Sequence, residues 1–235
     1  MVTKKFIPAL EREVTFAKRK GTKHIKLSLK SDGSLRVSVP YGIPQFAAER
    51  FMLSKSDWIK QHAKKPTILQ HNDHIGKSHQ LEFVYGPDKT IKSRVSKNTV
   101  TITYPVDLDI TDSTVQAKAK AACERALKQQ AEILLPQRLD YWSDKMSIPY
   151  REISVKKMKS RWGSCDNRNN IILNIYLVQL PWDLIDYVML HELSHTRHPH
   201  HQKAFWDFLE QLLPDYKTKR KLLKSKPTDI LQTNF

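Results

Sequence analysis

Residues Pro181 to Trp206 read PWDLIDYVMLHELSHTRHPHHQKAFW. Pro181 stands where a first-turn proline opens a helix: its fixed φ suits the helix, and its missing N–H costs nothing there. Leu184, Ile185, Val188 and Met189 recur at helical spacing and Pro199 closes the run, so a helix is predicted from Pro181 to about Arg197. Inside it His191, Glu192 and His195 form an HExxH pattern. Residues four apart on a helix share a face about 6 Å apart, so two imidazoles can grip one ion while the neighbouring glutamate reaches a water on it. Both histidines lie beside Leu190 and Leu193, at the apolar end of the helix. That placement favours ligands held against a core over solvated surface residues.

A catalytic zinc takes three protein ligands and keeps a fourth position for water. His198, His200 and His201 compete for the third place. Three ligands along one straight helix would span about 10 Å, too far for a single ion, and Pro199 biases His198 away from helical geometry. His201 is better placed, because the chain can turn at His198-Pro199 and return beneath the metal. Its distance of ten positions from His191 is also the metzincin spacing, although the glycine of that motif is absent. Glu210, on a following helix, is a weaker candidate that reads equally as a solvated side chain. Glu192 is expected to act as general base, taking a proton from the attacking water and passing it to the leaving group. Zinc is the expected ion, though affinity alone does not exclude Mn, Co or Ni from a three-histidine site.

Outward from this helix, Gln202 to Leu213 and the basic stretch Tyr216 to Lys224 are predicted helical, and the tail beyond Pro227 is expected to be loose. Upstream, Ile153 to Val155 and Ile171 to Leu173 read as short strands around a polar loop. Asp112-Ser113 offers a cap for a helix from Thr114 to about Lys145, rich in Ala, Lys, Gln, Glu and Leu, which Pro136 should kink or split. From Val14 to Val39 the chain alternates in the strand manner. Ile25, Leu27 and Leu29, then Leu35, Val37 and Val39, flank Asp32-Gly33 as in a hairpin. Phe46 to Ala63 carries Phe51, Trp58 and Ile59 at helical spacing, and Leu81 to Tyr85 and Val100 to Tyr104 are further strands. Helices and strands do not alternate strictly, so the fold class is α+β, with a mainly antiparallel small sheet at residues 1–110 and a metal-binding helical region at 111–235.

The chain has 235 residues, of which 40% are hydrophobic, enough to bury a core in one large or two small domains. No apolar run is long enough for a membrane span, and MVTKKFIPALEREVTF lacks the apolar stretch of a secretory signal, so the expected compartment is the cytosol. Cys123 and Cys165 match no CxxC pattern and are expected to be reduced thiols. The formal charge of +16 implies a positive potential that concentrates polyanions, with nonspecific nucleic-acid contact as one consequence. There is no internal repeat, Gly-rich phosphate loop or GxSxG elbow.

The run Arg161-Trp162-Gly163-Ser164-Cys165, then Asn174, Ile185-Asp186-Tyr187-Val188, HELSH, His201 and Phe205-Trp206 resembles the YgjP-like metallopeptidases, zincins related to the SprT-like and WLM proteins. The resemblance runs most strongly from about Val155 to Leu223, and more loosely through Val39-Pro40 and Trp58-Ile59. It implies a zincin-like fold with zinc on His191, His195 and His201. Where the family often has Asn-His-Ser, this chain has His200-His201-Gln202. The resemblance also implies that the Arg161 to Cys165 loop folds over the metal, bringing Lys156, Lys157, Lys159 and Arg161 near the site. Arg161 would then stabilise a developing oxyanion or hold an anionic group; a structural pairing with Asp186 is the other reading. Cys165 reads as a packing residue before a fourth ligand or a nucleophile, and Trp162, Phe205 and Trp206 read as core residues under the ligand helices.

The leading expectation is a zinc metallopeptidase acting on peptides. A phosphoanhydride hydrolase of nucleoside triphosphates, an anionic small-molecule substrate, is the alternative raised by the lysines before Arg161. A nucleic-acid-associated zinc protein, with Lys217, Lys219, Arg220, Lys221 and Lys224 forming a basic helix, is the non-enzymatic reading.

Overall fold

Val14, Phe16, Leu35, Val37 and Val39 fall on one buried face of a sheet, as their alternation predicts. The structure is a computed structural model that describes residues 2–10, 12–29, 35–62, 68–226 and 228. Its chain divides into two compact units, Met1–Thr67 and Ile68–Phe235.

The first unit holds β1 (Val2–Ile7), β2 (Arg12–Arg19), β3 (Lys26–Leu29) and β4 (Leu35–Pro40) in the order β1-β2-β4-β3. β3 and β4 pair antiparallel, with Leu27 opposite Val37 and Leu29 opposite Leu35, as the hairpin reading expected. Asp32-Gly33, the expected turn, lies outside the described residues. The central pair, β2 with β4, is parallel, so the sheet is mixed where a mainly antiparallel one was expected. Alternation specifies which face a residue occupies and says nothing of strand direction, which is why the sequence missed this. The expected single helix is two, α1 (Gln45–Leu53) and α2 (Ser56–His62), parted at Ser54, whose Oγ donates to the Phe51 carbonyl at 2.7 Å. Ala63, its expected end, is outside the described residues. Ala48, Met52 and Ile59 close the core, while Trp58 is largely exposed.

The second unit opens on β5 (His74–Ile75), β6 (His79–Gly86), β7 (Lys92–Val95) and β8 (Thr99–Pro105), ordered β5-β6-β8-β7. Strand order and pairing senses repeat those of the first sheet: two antiparallel outer pairs around a parallel centre. Both fourth strands end on a proline, Pro40 opposite Arg19 and Pro105 opposite Gly86, and both lead into a helix. The architecture is thus used twice with little residue identity, which is why no repeat is legible in the sequence.

That helix, α3 (Ser113–Met146), is capped as expected by Asp112, whose Oδ1 accepts from the Thr114 N–H at 2.7 Å. It runs through Pro136 as one helix, so of the kink or split expected there the split is absent. Leu135 and Leu139, on either side of the proline, are fully buried, and packing on this scale offsets a lost backbone hydrogen bond. Small residues Ala119, Ala122, Cys123 and Ala126 form its contact face in one core with Leu81, Val100 and Ile102 of the second sheet. The boundary between compact units therefore falls near residue 67, and the sheet of residues 74–105 sides with α3, whereas the sequence division was drawn at 110.

Next come β9 (Glu152–Lys156), β10 (Gly163–Cys165) and β11 (Asn170–Asn174), ordered β10-β11-β9, and a 3-10 turn at Ile175–Gln179. The unit closes with α4 (Trp182–His195), α5 (Lys203–Leu212) and α6 (Tyr216–Lys224). The class is mixed α+β. Among the described residues no helix is long and apolar enough to cross a membrane.

Candidate metal centre

α4 is tied down at its start and one turn in. At its start Lys77 Nζ donates to the Leu180 carbonyl at 2.6 Å, and the Pro181 carbonyl accepts from the Ile185 N–H at 3.1 Å. One turn on, Asp186 receives both arms of Arg138 at 2.7 and 2.6 Å and the Trp142 Nε1–H at 2.8 Å, a fork that ties α4 to α3. Leu184, Ile185, Val188, Met189, Leu190 and Leu193 are buried, so the helix axis is fixed by packing on most of its circumference. Its regular part ends at His195, two residues before the expected Arg197, and the chain then turns at His198-Pro199.

His191 and His195 share the predicted face, with ring centroids 4.9 Å apart. The turn returns His201 to them: its Nε2 lies 3.0 Å from His191 Nε2. One nitrogen from each of the three rings falls within 4.8 Å of the others. Phe205, fully buried on α5, supports all three imidazoles, its centroid 4.9, 4.6 and 4.7 Å from those of His191, His195 and His201. His195 Nδ1 lies 3.2 Å from the His198 carbonyl; with that acceptor the proton sits on Nδ1 and Nε2 keeps its lone pair.

The donor set fits a divalent cation. Two Zn–N bonds of about 2.0–2.1 Å meeting at a tetrahedral angle put the nitrogens about 3.3 Å apart, close to the His191–His201 separation. Desolvation favours the neutral form at all three rings, most strongly at His191 and least at the exposed His201. It depresses His191 to about 3, helped by Arg220 and by the cost of protonating rings so close to one another, and lowers His195 and His201 as well. His191 Nδ1 is buried with no hydrogen-bond partner among the described residues, and the ring's other nitrogen faces His201 Nε2.

Glu192 is buried beside this trio, and desolvation pushes its carboxyl up to about 8 against the opposing charge of Arg161. Its carboxyl fits because β10 passes over it at a glycine. A Cβ on Gly163 would lie 2.6 Å from Glu192 Oε1 and 2.7 Å from Cγ. The loop leading into β10 is stapled by Asn174, whose Nδ2 donates to the carbonyls of Met158 and Arg161, both at 2.9 Å.

The remaining candidates are sorted by their contacts. Asp186 is taken by Arg138 and Trp142 rather than by Arg161, which is exposed with its charge reaching Glu192. Glu210 is exposed and accepts from Lys217 at 3.0 Å, and His200 is exposed outside the trio. His198 sets its ring against Phe208 and offers only its carbonyl. Cys165 donates to the Asp166 carbonyl, and burial with the Glu192 charge raises its thiol to about 11, so it stays protonated. Trp162 and Phe205 are core residues as expected; Trp206 is only half-buried and stacks on His201 at 5.3 Å and 23°.

A family model described as YgjP-like, metallopeptidase domain, matches residues 23–226. The chain belongs to the YgjP-like metallopeptidase family. No curated protein matches it. The metallopeptidase zymogen abylysin of Pyrococcus abyssi is similar over 41% of this chain and 100% of its own, at 18% identity and a TM-score of 0.36. The zymogen jannalysin of Methanocaldococcus jannaschii is similar over 38% of this chain and 91% of its own, at 23% identity and a TM-score of 0.34. Membership rests on the domain match, which spans the three histidines, Glu192 and the Arg161 to Cys165 loop.

Three residues of this YgjP-like chain acquire roles that the sequence reading did not give them. Gly163 makes room for the Glu192 carboxyl, Asn174 fixes the loop before it, and Arg220 on α6 adds charge at the site. Spacing carries no signal for any of these, because each acts across elements far apart in sequence. The glycine and asparagine were visible only as parts of the family pattern.

Proposed function

We propose that this chain is a zinc-dependent metallopeptidase in which His191, His195 and His201 hold the ion and Glu192 is the general base. The observation that carries the reading is the convergence of three neutral imidazole nitrogens within 4.8 Å beside a buried carboxyl. A divalent ion held there supplies a Lewis acid that polarises a scissile carbonyl and makes a water nucleophilic near neutral pH.

The protein's own groups do the rest. Desolvation raises the metal-free carboxyl to about 8 and a cation bound beside it would favour the carboxylate, so Glu192 takes the proton of the attacking water and delivers it to the departing amine. Gly163 holds the β10 backbone against that carboxyl, limiting the rotamers open to it. Arg161, exposed at the loop beside Glu192, stabilises the developing oxyanion. Incubation of the zinc-loaded protein with a diverse peptide library should give cleavage that Glu192→Gln lowers by about 10²–10⁴-fold, the usual worth of a general base. A library left intact by the zinc-loaded wild type contradicts the peptidase reading.

A second reading, hydrolysis of nucleoside triphosphates at a phosphoanhydride bond, is favoured by the guanidinium charges of Arg161 and Arg220 near the trio. Phosphates want cations and a metal together. Phosphate or pyrophosphate release from a nucleotide panel separates the two.

The net charge adds a proposal about partners. Residues 1–67 carry 15 of the 40 Lys and Arg but 5 of the 24 Asp and Glu, a net +10, against +6 for residues 68–235. Polyanion contact, nonspecific nucleic-acid contact included, is therefore assigned to the first unit.

A further inference from the structure

Arg220 is a cation near the trio that no carboxylate among the described residues neutralises. Its guanidinium carbon lies 4.4 Å from the centroid of the Trp206 ring. Trp206 stacks in turn on His201 at 5.3 Å and on Tyr216 at 5.5 Å, and its Nε1–H donates to the His201 carbonyl at 3.2 Å. Two lysines of the same helix are paired: Lys217 with Glu210 at 3.0 Å, and Lys219 with Asp215. Among the described residues Arg220 has the indole and no ion-pair partner.

The placement has a cost. Burial is the main cause of the low basicity of His191 and His201, and the Arg220 charge adds to it at both. A fixed guanidinium also repels a divalent ion bound to the same rings. The repulsion turns to advantage once an anion joins the site. A guanidinium resting on an aromatic ring keeps its N–H groups free for the planar, two-pronged bonding that carboxylate and phosphate oxygens accept.

We propose that Arg220, seated on Trp206, is an anion-recognition subsite beside the three-histidine centre, so that the substrate carries a carboxylate or phosphate group near the bond that is broken. The proposal rests on reading that centre as hydrolytic and narrows its substrates: to peptides recognised at a terminal or side-chain carboxylate, or to nucleotides recognised at a non-scissile phosphate.

The test is a binding measurement on the full, metal-free chain with three probes: inorganic pyrophosphate, a blocked dipeptide with a free C-terminal carboxylate, and the same dipeptide as its amide. Because the cation lies on an indole, occupancy is read from Trp206 emission, with Trp206→Phe as the blank, and checked by calorimetry. At least one anionic probe should bind more tightly than the amide. Arg220→Gln should weaken it tenfold or more, and Arg220→Lys should recover part of the loss. Zinc affinity of Arg220→Gln, measured by chelator competition, should equal or exceed that of the wild type, because a repelling charge has been removed. Pyrophosphate preference assigns a phosphate, dipeptide preference a carboxylate.

Either of two results overturns the proposal. One is that neither anion outbinds the amide in an Arg220-dependent way. The other is that Arg220→Gln loses zinc as severely as His201→Ala, the mark of a residue that only clamps Trp206 and His201. Failure to cleave any peptide or nucleotide, with Arg220-dependent binding intact, would count against the hydrolase reading alone.

Discussion

At the residue scale, the site is a set of groups whose protonation is fixed by burial. His191, depressed to about 3 from the usual 6.5, stays neutral in the fold at pH values where the unfolded chain takes up a proton, so the metal-free protein loses stability as pH falls below about 6.5. Glu192 has the opposite sign. Raised to about 8 from 4.5, it is protonated in the fold and ionised in the unfolded chain between those values, so its burial costs stability increasingly as pH rises towards about 8. A cation bound next to it favours the carboxylate, so zinc uptake at pH 7 should release about one proton. Calorimetry in buffers of different ionisation heat measures that proton, and Glu192→Gln should lose it; equal release from both proteins would show that the carboxyl is ionised beforehand. Gly163→Ala should keep zinc but displace the Glu192 carboxyl, cutting turnover by about 10²-fold, the usual effect of an ångström of misplacement. Wild-type turnover from this variant would remove Gly163 from the account. His191, Glu192, His195 and His201 were all legible as candidates from spacing, because a helix converts sequence distance into spatial distance by a fixed rule. Gly163 and Arg220 were not, because nothing in the sequence says which strand crosses Glu192 or which helix reaches His201.

At the element scale, α4 is aimed by its ties to α3. The Asp186 carboxyl is largely buried, accepts three hydrogen bonds and sits five residues before His191. Asp186→Asn should cost about 1–3 kcal/mol, the range for leaving a buried partner unsatisfied, and should weaken zinc binding by rotating the helix. Urea unfolding with chelator competition checks both; an unchanged midpoint would mean that packing alone aims α4. The helices α4, α5 and α6 were read from the sequence within two residues at either end, since each carries an apolar period and a proline or cap beside it. β1 was missed because only Ile7 of its six residues is buried, so no alternation is written into it. The unbroken α3 escaped for a different reason. Local rules make Pro136 a breaker, and the buried Leu135 and Leu139 that override it are a tertiary fact.

At the scale of the whole molecule, two units share one strand topology but differ in charge and chemistry. The first carries most of the excess positive charge and the second carries the three histidines. Retention of the full chain on heparin or nucleic acid should therefore fall steeply with salt and respond to charge reversal at Lys4, Lys18 and Lys26 more than at Lys92, Lys118 and Lys128. Equal responses would place the contact elsewhere. The central claim concerns a single ion per chain, held by three imidazoles with one position left for solvent. X-ray absorption at the zinc edge, on protein loaded one to one, tests it most directly. The account predicts three imidazole nitrogens and one further light atom at about 2.0–2.1 Å, with one nitrogen lost in His201→Ala. A sulfur neighbour from Cys165, or a fourth imidazole closing the site, would contradict it.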